Sequence, residues 1–261
     1  MMWALPGVSV FPAFGRWLGD IVFPPRCGGC GVALRPGCAL EACAPCVSSM
    51  PSILAPVCAL CGAPFTGVAA LDAISREEEG DGRKCVDCRG KRRHWSMARS
   101  FYAYEGPAKG MVTALKYSGR RRMAATMARL AWKDGGPAMD AVAGLACVVA
   151  VPLHRARMAA RGYNQSAELA REIGALAGLA FAEGVLERVR DTRPQVGLKR
   201  AERRDNVRDA FAVARGGEVA GKAVLLVDDV MTTGATLEEG ARALRTAGAE
   251  EVRALCFARD P

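Results

Sequence analysis

VLLVDDVMTTGAT, residues 224–236, runs from four apolar residues into two adjacent aspartates and then into a loop of threonines around one glycine. An apolar run without alternation is the pattern of a strand buried on both faces. The stretch that follows, TLEEGARALRTAG (236–248), has helical spacing and ends at Gly248, a residue suited to close a helix. Strand, acidic pair, polar turn and helix therefore follow one another within 25 residues. The same grammar recurs elsewhere. ACVVAVPL (146–153) is a short buried strand stopped by Pro152, NQSAELAREIGALAG (164–178) an amphipathic helix with Asn164 or Ser166 as its cap, and EVRALCFA (251–258) a further strand. SFYAYEG (100–106) reads as strand and turn, and residues 107–134 as helix with a break at Ser118-Gly119. Solid apolar strands alternating with helices define an α/β fold with a mainly parallel, doubly wound sheet. Ligands of such sheets bind beyond the carboxyl ends of the strands, which is where Asp228 and Asp229 fall.

The composition frames this domain. The 261 residues are 51% apolar and 6% aromatic, enough for one large domain and a small appended one. No apolar run approaches the roughly 20 residues that cross a bilayer. Residues 1–25 are apolar but interrupted by Pro6, Pro12, Arg16 and Asp20, without a basic start or a small-residue cleavage site, and are expected to form an amphipathic leader packed on the protein. The net charge of +9 favours polyanionic partners.

Eight of the eleven cysteines form four CxxC pairs in the first 90 residues: Cys27/Cys30, Cys43/Cys46, Cys58/Cys61 and Cys85/Cys88. Two such knuckles complete a tetrahedral zinc site with sulfurs about 2.3 Å from the ion, so four imply two structural Zn2+ sites over residues 26–95. Pairing in sequence order leaves 12 residues between the knuckles of the first site and 23 in the second. A nested pairing satisfies the same spacing. A disulfide framework and a redox-active CxxC are the alternative readings, but the expected absence of a signal peptide places the chain in the cytoplasm, where thiols stay reduced, and redox motifs do not usually come in fours. Cys147 and Cys256 lie in apolar runs and read as core, while Cys38 has no assignment. The polar stretch 66–84 reads as a solvated loop inside the second ribbon, and RGKRRHW (89–95) as a basic joint to the domain of residues 96–261.

The acidic pair and the loop after it complement one another. Backbone NH groups of residues 232–236 and of the helix start make a nest for an anion; Thr232, Thr233 and Thr236 add hydroxyl donors, and Gly234 permits close approach. Asp228 and Asp229 would repel that anion. Their partners are sugar hydroxyls or a hydrated Mg2+. A phosphate beside vicinal hydroxyls describes a ribose 5-phosphate.

The stretch 224–236 resembles the phosphoribosyl pyrophosphate (PRPP) motif of type I phosphoribosyltransferases. From about residue 21 onward the chain resembles the ComF family, which includes GntX-like proteins, through its cysteine knuckles, YEG (104–106), LKYSG (115–119), VPLHRARMAARGYNQSAELA (151–170) and RPQVGLKRAERRDNVRDAF (193–211). The acidic insert between Cys61 and Cys85 departs from the compact family pattern.

The resemblance implies a sheet of the type I phosphoribosyltransferase kind. Asp228 and Asp229 would hold the ribose hydroxyls, Thr232, Thr233, Gly234, Ala235 and Thr236 the 5-phosphate, and Pro152, Leu153, His154 and Arg155 the pyrophosphate with Mg2+. Arg155, Arg157 and Arg161 are candidates to neutralise leaving-group charge, so that Asp228, Asp229, Arg155 and Arg161 form the expected catalytic set, and Lys116 is a further PRPP-binding candidate. A solvated basic turn is the plain alternative for these arginines. Residues 188–208 carry eight Lys or Arg against three acids and are expected to supply a closing loop. The expected reaction is displacement of pyrophosphate by a nitrogen nucleophile, with no acceptor pocket readable. ComF-like proteins are associated with natural competence, which implies single-stranded DNA and competence-machinery proteins as partners. A non-catalytic, strand-handling role is thus the second reading, with Arg83, Lys84, Arg89, Lys91, Arg92, Arg93 and the aromatic pair His94-Trp95 tracking a strand by charge and stacking. An ordinary solvated interdomain surface explains the same basic run.

Overall fold

A computed structural model describes residues 24–67, 84–133, 141–192 and 200–260. The leader through residue 23, most of the acidic insert and residues 193–199 of the expected closing loop lie outside the described residues. The elements in chain order are α1 (Ala44–Ser48), β1 (Met97–Ala103), α2 (Gly106–Tyr117), α3 (Met123–Lys133), β2 (Cys147–Ala150), α4 (Arg155–Arg161), α5 (Gln165–Ala177), β3 (Ala180–Phe181), β4 (Leu186–Arg188), α6 (Arg200–Val207), β5 (Phe211–Val213), β6 (Ala223–Met231), α7 (Ala235–Thr246) and β7 (Glu251–Arg259).

Five strands form a parallel sheet in the order β1-β7-β6-β2-β3, while β4 and β5 pair as a separate antiparallel ribbon. Parallel neighbours need crossover helices, and these cover both faces. Alternate residues of β6 divide between the two layers: Leu225 and Val227 join the core built with α2, α3 and α5, whereas Val224 and Leu226 join Leu237, Ala241 and Leu244 of α7. This two-sided burial is why the strand reads as an unbroken apolar run, each buried Leu or Val contributing about 1.5–3 kcal/mol. The break at Ser118-Gly119 separates α2 from α3, as the sequence indicates.

One strand boundary and one helix cap refine the expectations from the sequence. β6 does not end at the aspartates but runs on to Met231, paired with β7 throughout by Asp228 opposite Cys256 and Met231 opposite Arg259. On its other side the ladder to β2 stops at Val227, and β2 leaves through Pro152. Residues 228–231 therefore present one edge to a crevice. From that crevice the strand order runs to β3 on one side and to β7 on the other, the switch point at which open α/β sheets bind ligands. Helix α5 is capped by Asn164, whose side-chain Oδ1 accepts from Ser166 NH at 3.0 Å, so Ser166 is not the cap.

The cysteine knuckles pair in sequence order, which excludes the nested arrangement. Cys27, Cys30, Cys43 and Cys46 form one cluster and Cys58, Cys61, Cys85 and Cys88 the other, with each set of Sγ atoms within 4.8 Å of one another. The first cluster rests on α2 and α3: Gly110 of α2 lies so close to Gly29 O that only a residue without Cβ fits, and Arg120 pairs with Glu41 at 2.8 Å. The second lies against β1 and β7, where Ala98 NH donates to Leu60 O at 2.8 Å and Arg259 Nη1 to Cys61 O at 3.0 Å. Cys58, Cys61 and Cys88 share the apolar cluster of Val224, Leu226 and Leu237. Among the described residues no helix is long and apolar enough to cross a membrane.

Candidate phosphoribosyl site and zinc centres

Asp228 and Asp229 point into a small polar cluster that the fold gathers from three helices and strands. Ser166, at the start of α5, donates its hydroxyl to Asp228 Oδ1 at 2.7 Å, and Asp229 NH donates to the same oxygen at 2.9 Å. Lys116, from the last turn of α2, places Nζ 2.8 Å from Asp229 Oδ1. Asp229 Oδ2 is buried without a hydrogen-bond partner. Burial, then the neighbouring Asp229 charge, push the Asp228 carboxyl up to about 7, against the pull of Ser166 and Lys116. For Lys116, burial works against the ammonium, but the paired Asp229 and the nearby Asp228 overcome it and raise its pKa. The cluster thus holds two carboxyl groups against one ammonium, and Asp229 Oδ2 is free to accept.

Beyond Met231 the chain turns through Thr232 and Thr233, both half-buried, to Gly234, which has φ +75° and acts as the N-cap of α7. Thr233 Oγ1 accepts from Ala235 NH at 3.4 Å, and no side-chain hydrogen bond caps the helix. A left-handed residue at this turn is natural only for glycine. The loop and the first turn of α7 therefore offer backbone donors beside the acidic cluster, the arrangement that suits an anion.

Leu153 and His154 follow the end of β2, next to β6 in the sheet. His154 caps α4, its Nδ1 3.4 Å from Ala156 N and 3.3 Å from Asp191 Oδ1. Arg155 is exposed on the first turn of α4. Arg157 donates to Thr192 O at 2.6 Å. Arg161 donates to Gln165 Oε1 and lies 5.4 Å from the Tyr117 ring centroid. The structure brings Lys116 onto Asp229, while no hydrogen bond or ion pair of the described residues joins Arg155 or Arg161 to the aspartates.

Two polar residues at the site escaped the sequence reading. Ser166 looked like a helix cap; the signal was the preceding Asn164, which fills that role and releases the Ser166 hydroxyl. Arg188 of β4 is 9% exposed and donates to Thr192 Oγ1, with its Nε buried and unpartnered. Burial and then Arg157 lower its pKa, while Asp228 and Asp191 oppose that shift. Its role depends on the β4–β5 ribbon folding beside α4, which no local motif announces.

The basic joint also departs from expectation. Trp95 is 2% exposed, packed among Met231, Leu237 and the second cysteine cluster, and cannot stack on a strand. His94 Nδ1 lies 2.8 Å from Glu238 Oε1 and Arg93 Nη1 3.9 Å from Glu238 Oε2, which ties this segment to the first turn of α7.

Both cysteine clusters fit zinc. A tetrahedron with ligand distances of about 2.3 Å has edges of about 3.8 Å, and Cys30 and Cys43 Sγ, like Cys61 and Cys85 Sγ, are 3.7 Å apart. Backbone NH groups of Cys43 and Cys85 donate to Cys27 and Cys58 Sγ at 3.3 Å, as thiolate ligands require. Cys147 and Cys256 are buried core residues as expected.

A five-stranded parallel sheet of this order, with an acidic pair and an anion-suited loop at the switch point and two four-cysteine clusters in front, is a type I phosphoribosyltransferase-fold protein with a double zinc ribbon. Family models agree: residues 167–261 match the phosphoribosyl transferase domain and residues 18–89 the double zinc ribbon domain. The chain is 33% identical over 183 residues to DNA utilization protein YhgH of Salmonella typhi, spanning 67% of this chain and 77% of that one. It is 37% identical over 113 residues to Competence protein F of Haemophilus influenzae, spanning 43% of this chain and about half, 49%, of the relative. A 95-residue segment is 34% identical to a ribose-phosphate pyrophosphokinase of Prochlorococcus marinus, covering 36% of this chain and 27% of that protein. The chain belongs to the family of competence protein F and YhgH.

Proposed function

We propose that the protein binds PRPP with Mg2+ at the end of β6 and transfers its phosphoribosyl group to a nitrogen acceptor in the handling of DNA. The observation that carries this reading is the pairing of Asp228 and Asp229 with the Thr232–Thr236 loop at the switch point of the sheet. Ribose 2- and 3-hydroxyls donate to the carboxylates, and the unpartnered Asp229 Oδ2 is an acceptor of the right chemistry for a hydroxyl or a metal-bound water. Lys116 pairs with Asp229 at 2.8 Å and adds positive charge on that side. The 5-phosphate lies in the loop, and the pyrophosphate faces Leu153 and His154, with Arg155 and Arg161 on α4 available to it. Bound Mg2+ would neutralise charge on the leaving pyrophosphate. In the displacement the anomeric C–O bond to pyrophosphate breaks, the C–N bond forms, and the acceptor nitrogen loses its proton. The names of the relatives, competence and DNA utilization, support a DNA-linked acceptor or setting. Pyrophosphate release from Mg-PRPP across nucleobases and single-stranded oligonucleotides tests the reaction: release with one acceptor class, lost in Asp228→Asn, is expected, and no release with any acceptor removes the transferase reading.

A second reading, strand binding without catalysis, is favoured by one surface. Tyr117, in the basic stretch 116–122, is 74% exposed beside Arg161 of the basic stretch 154–161, and neither stretch contains an acid. Base stacking on Tyr117 with phosphates on the arginines replaces the role the sequence assigned to Trp95. Oligonucleotide affinity that falls with salt and weakens in Tyr117→Ala is expected; salt-independent binding, or none at low salt, excludes it.

A further inference from the structure

The loop assigned to the 5-phosphate is not free-standing. At its start, Met231 Sδ accepts from Arg259 Nη1 at 3.2 Å, and the same Nη1 donates to Cys61 O at 3.0 Å, while Arg259 Nη2 lies 3.9 Å from Cys61 Sγ. At its turn, a Cβ on Gly234 would stand 3.0 Å from Trp95 Cη2 and 2.9 Å from Met231 Cε, so the indole edge is packed directly on the loop backbone. At its end, Glu238 of α7 is held by Arg93 and His94, the two residues before Trp95. The Arg93 guanidinium in turn lies 5.1 Å from the Trp95 ring centroid. The start of the loop is thus linked to the second zinc ribbon through Arg259, and its turn and end are touched by the segment that leaves that ribbon. The first ribbon makes its contacts elsewhere, on α2 and α3, through Gly29, Glu41 and Ala39.

We propose that Trp95 is a positioning residue for the 5-phosphate loop, and that with Arg259 it makes the shape of that loop depend on the second four-cysteine site. This inference rests on the PRPP reading, because it assumes that residues 232–236 receive a phosphate. The physical reason is preorganisation. Backbone NH groups bind an anion well only when they converge before it arrives, and a loop of small residues does not hold convergence by itself. A rigid indole wedged between the loop and a cross-linked ribbon removes the freedom that binding would otherwise have to remove. Among the described residues, none of the contacts named above is made to Leu153, His154 or Arg155, which belong to the pyrophosphate side.

That asymmetry supplies the test. Ribose 5-phosphate and Mg-pyrophosphate are titrated separately into the full-length, zinc-loaded protein and into Trp95→Ala and Trp95→Phe, with zinc content measured for each. Trp95→Ala is expected to weaken ribose 5-phosphate about tenfold or more and to leave pyrophosphate within about twofold, while Trp95→Phe retains most of the affinity. If the wild-type protein binds neither ligand, the PRPP reading itself fails. If the wild type binds ribose 5-phosphate and Trp95→Ala, still holding two zinc ions, binds it equally well, the positioning role is overturned. Equal weakening of both ligands also overturns it, since a general loss of structure would do that. Should Trp95→Ala not fold, Arg259→Gln, which cuts the link to Cys61 and Met231 without opening a cavity of that size, must show the same selective loss, and unchanged ribose 5-phosphate binding overturns the inference.

Discussion

The chemistry of Asp228 is set by what surrounds a single carboxyl. Its folded pKa of about 7 against an ordinary 3.8 means that the native state keeps a proton that the unfolded chain gives up. Stability therefore falls as pH rises from about 4 to about 7 and levels off above that. Asp228→Asn lacks the titration yet can still accept from Ser166 and from the Asp229 NH. Its melting temperature relative to wild type should rise from pH 5 to pH 8, measured by scanning fluorimetry; a constant difference would contradict the assigned shift. Lys116 gives the converse experiment. Asp229 is 3% exposed, so Lys116→Met leaves a buried carboxylate unpaired and should cost about 3 kcal/mol in denaturant unfolding, partly restored by adding Asp229→Asn. The acidic pair itself was legible, because two aspartates after an apolar run have few structural uses. Their partners were not: Ser166 and Lys116 stand 62 and 113 residues away, and only the crossing of α2 and α5 over the sheet brings them in.

Elements were legible where periodicity expresses burial. The apolar runs of β2, of β6 before the aspartates and of residues 254–258 in β7 follow from helices on both faces, and the helix break at Ser118-Gly119 from a turn that left-handed Gly119 allows. The extent of β6 was not legible, since pairing with β7 alone carries the strand past the aspartates. RGKRRHW does join the ribbon to the larger domain, with Arg89, Lys91 and Arg92 exposed, but the stacking role given to Trp95 was misread for a related reason: nothing local shows that the indole is buried or that Glu238, 144 residues from His94, holds the segment. The loop–helix junction offers an element-scale prediction. Gly234→Ala must adopt φ +75° and also crowd Trp95 and Met231, so it should destabilise the protein by roughly 1–2 kcal/mol or more and weaken ribose 5-phosphate binding. Thermal unfolding and a single titration check both; wild-type values in each would show that the turn tolerates a side chain.

Across the whole molecule the zinc ribbons are less an appendage than the sequence suggests. The spacing of the eight cysteines announced two sites, but not that Cys58, Cys61 and Cys88 would share an apolar cluster with the central strand. Metal analysis should return two zinc ions per chain, and a strong chelator should lower the melting temperature of the entire protein rather than release a separate early transition. An unaltered melt after zinc removal would show that the ribbons do not support the sheet. The central claim, that the end of β6 is a PRPP site, meets its most direct test in calorimetric titration of Mg-PRPP into the wild-type protein and into the Asp228→Asn/Asp229→Asn double variant. Saturable one-to-one binding by the wild type, lost or weakened at least about tenfold in the variant, is the predicted result. No binding by the wild type, or equal binding by both, would contradict it.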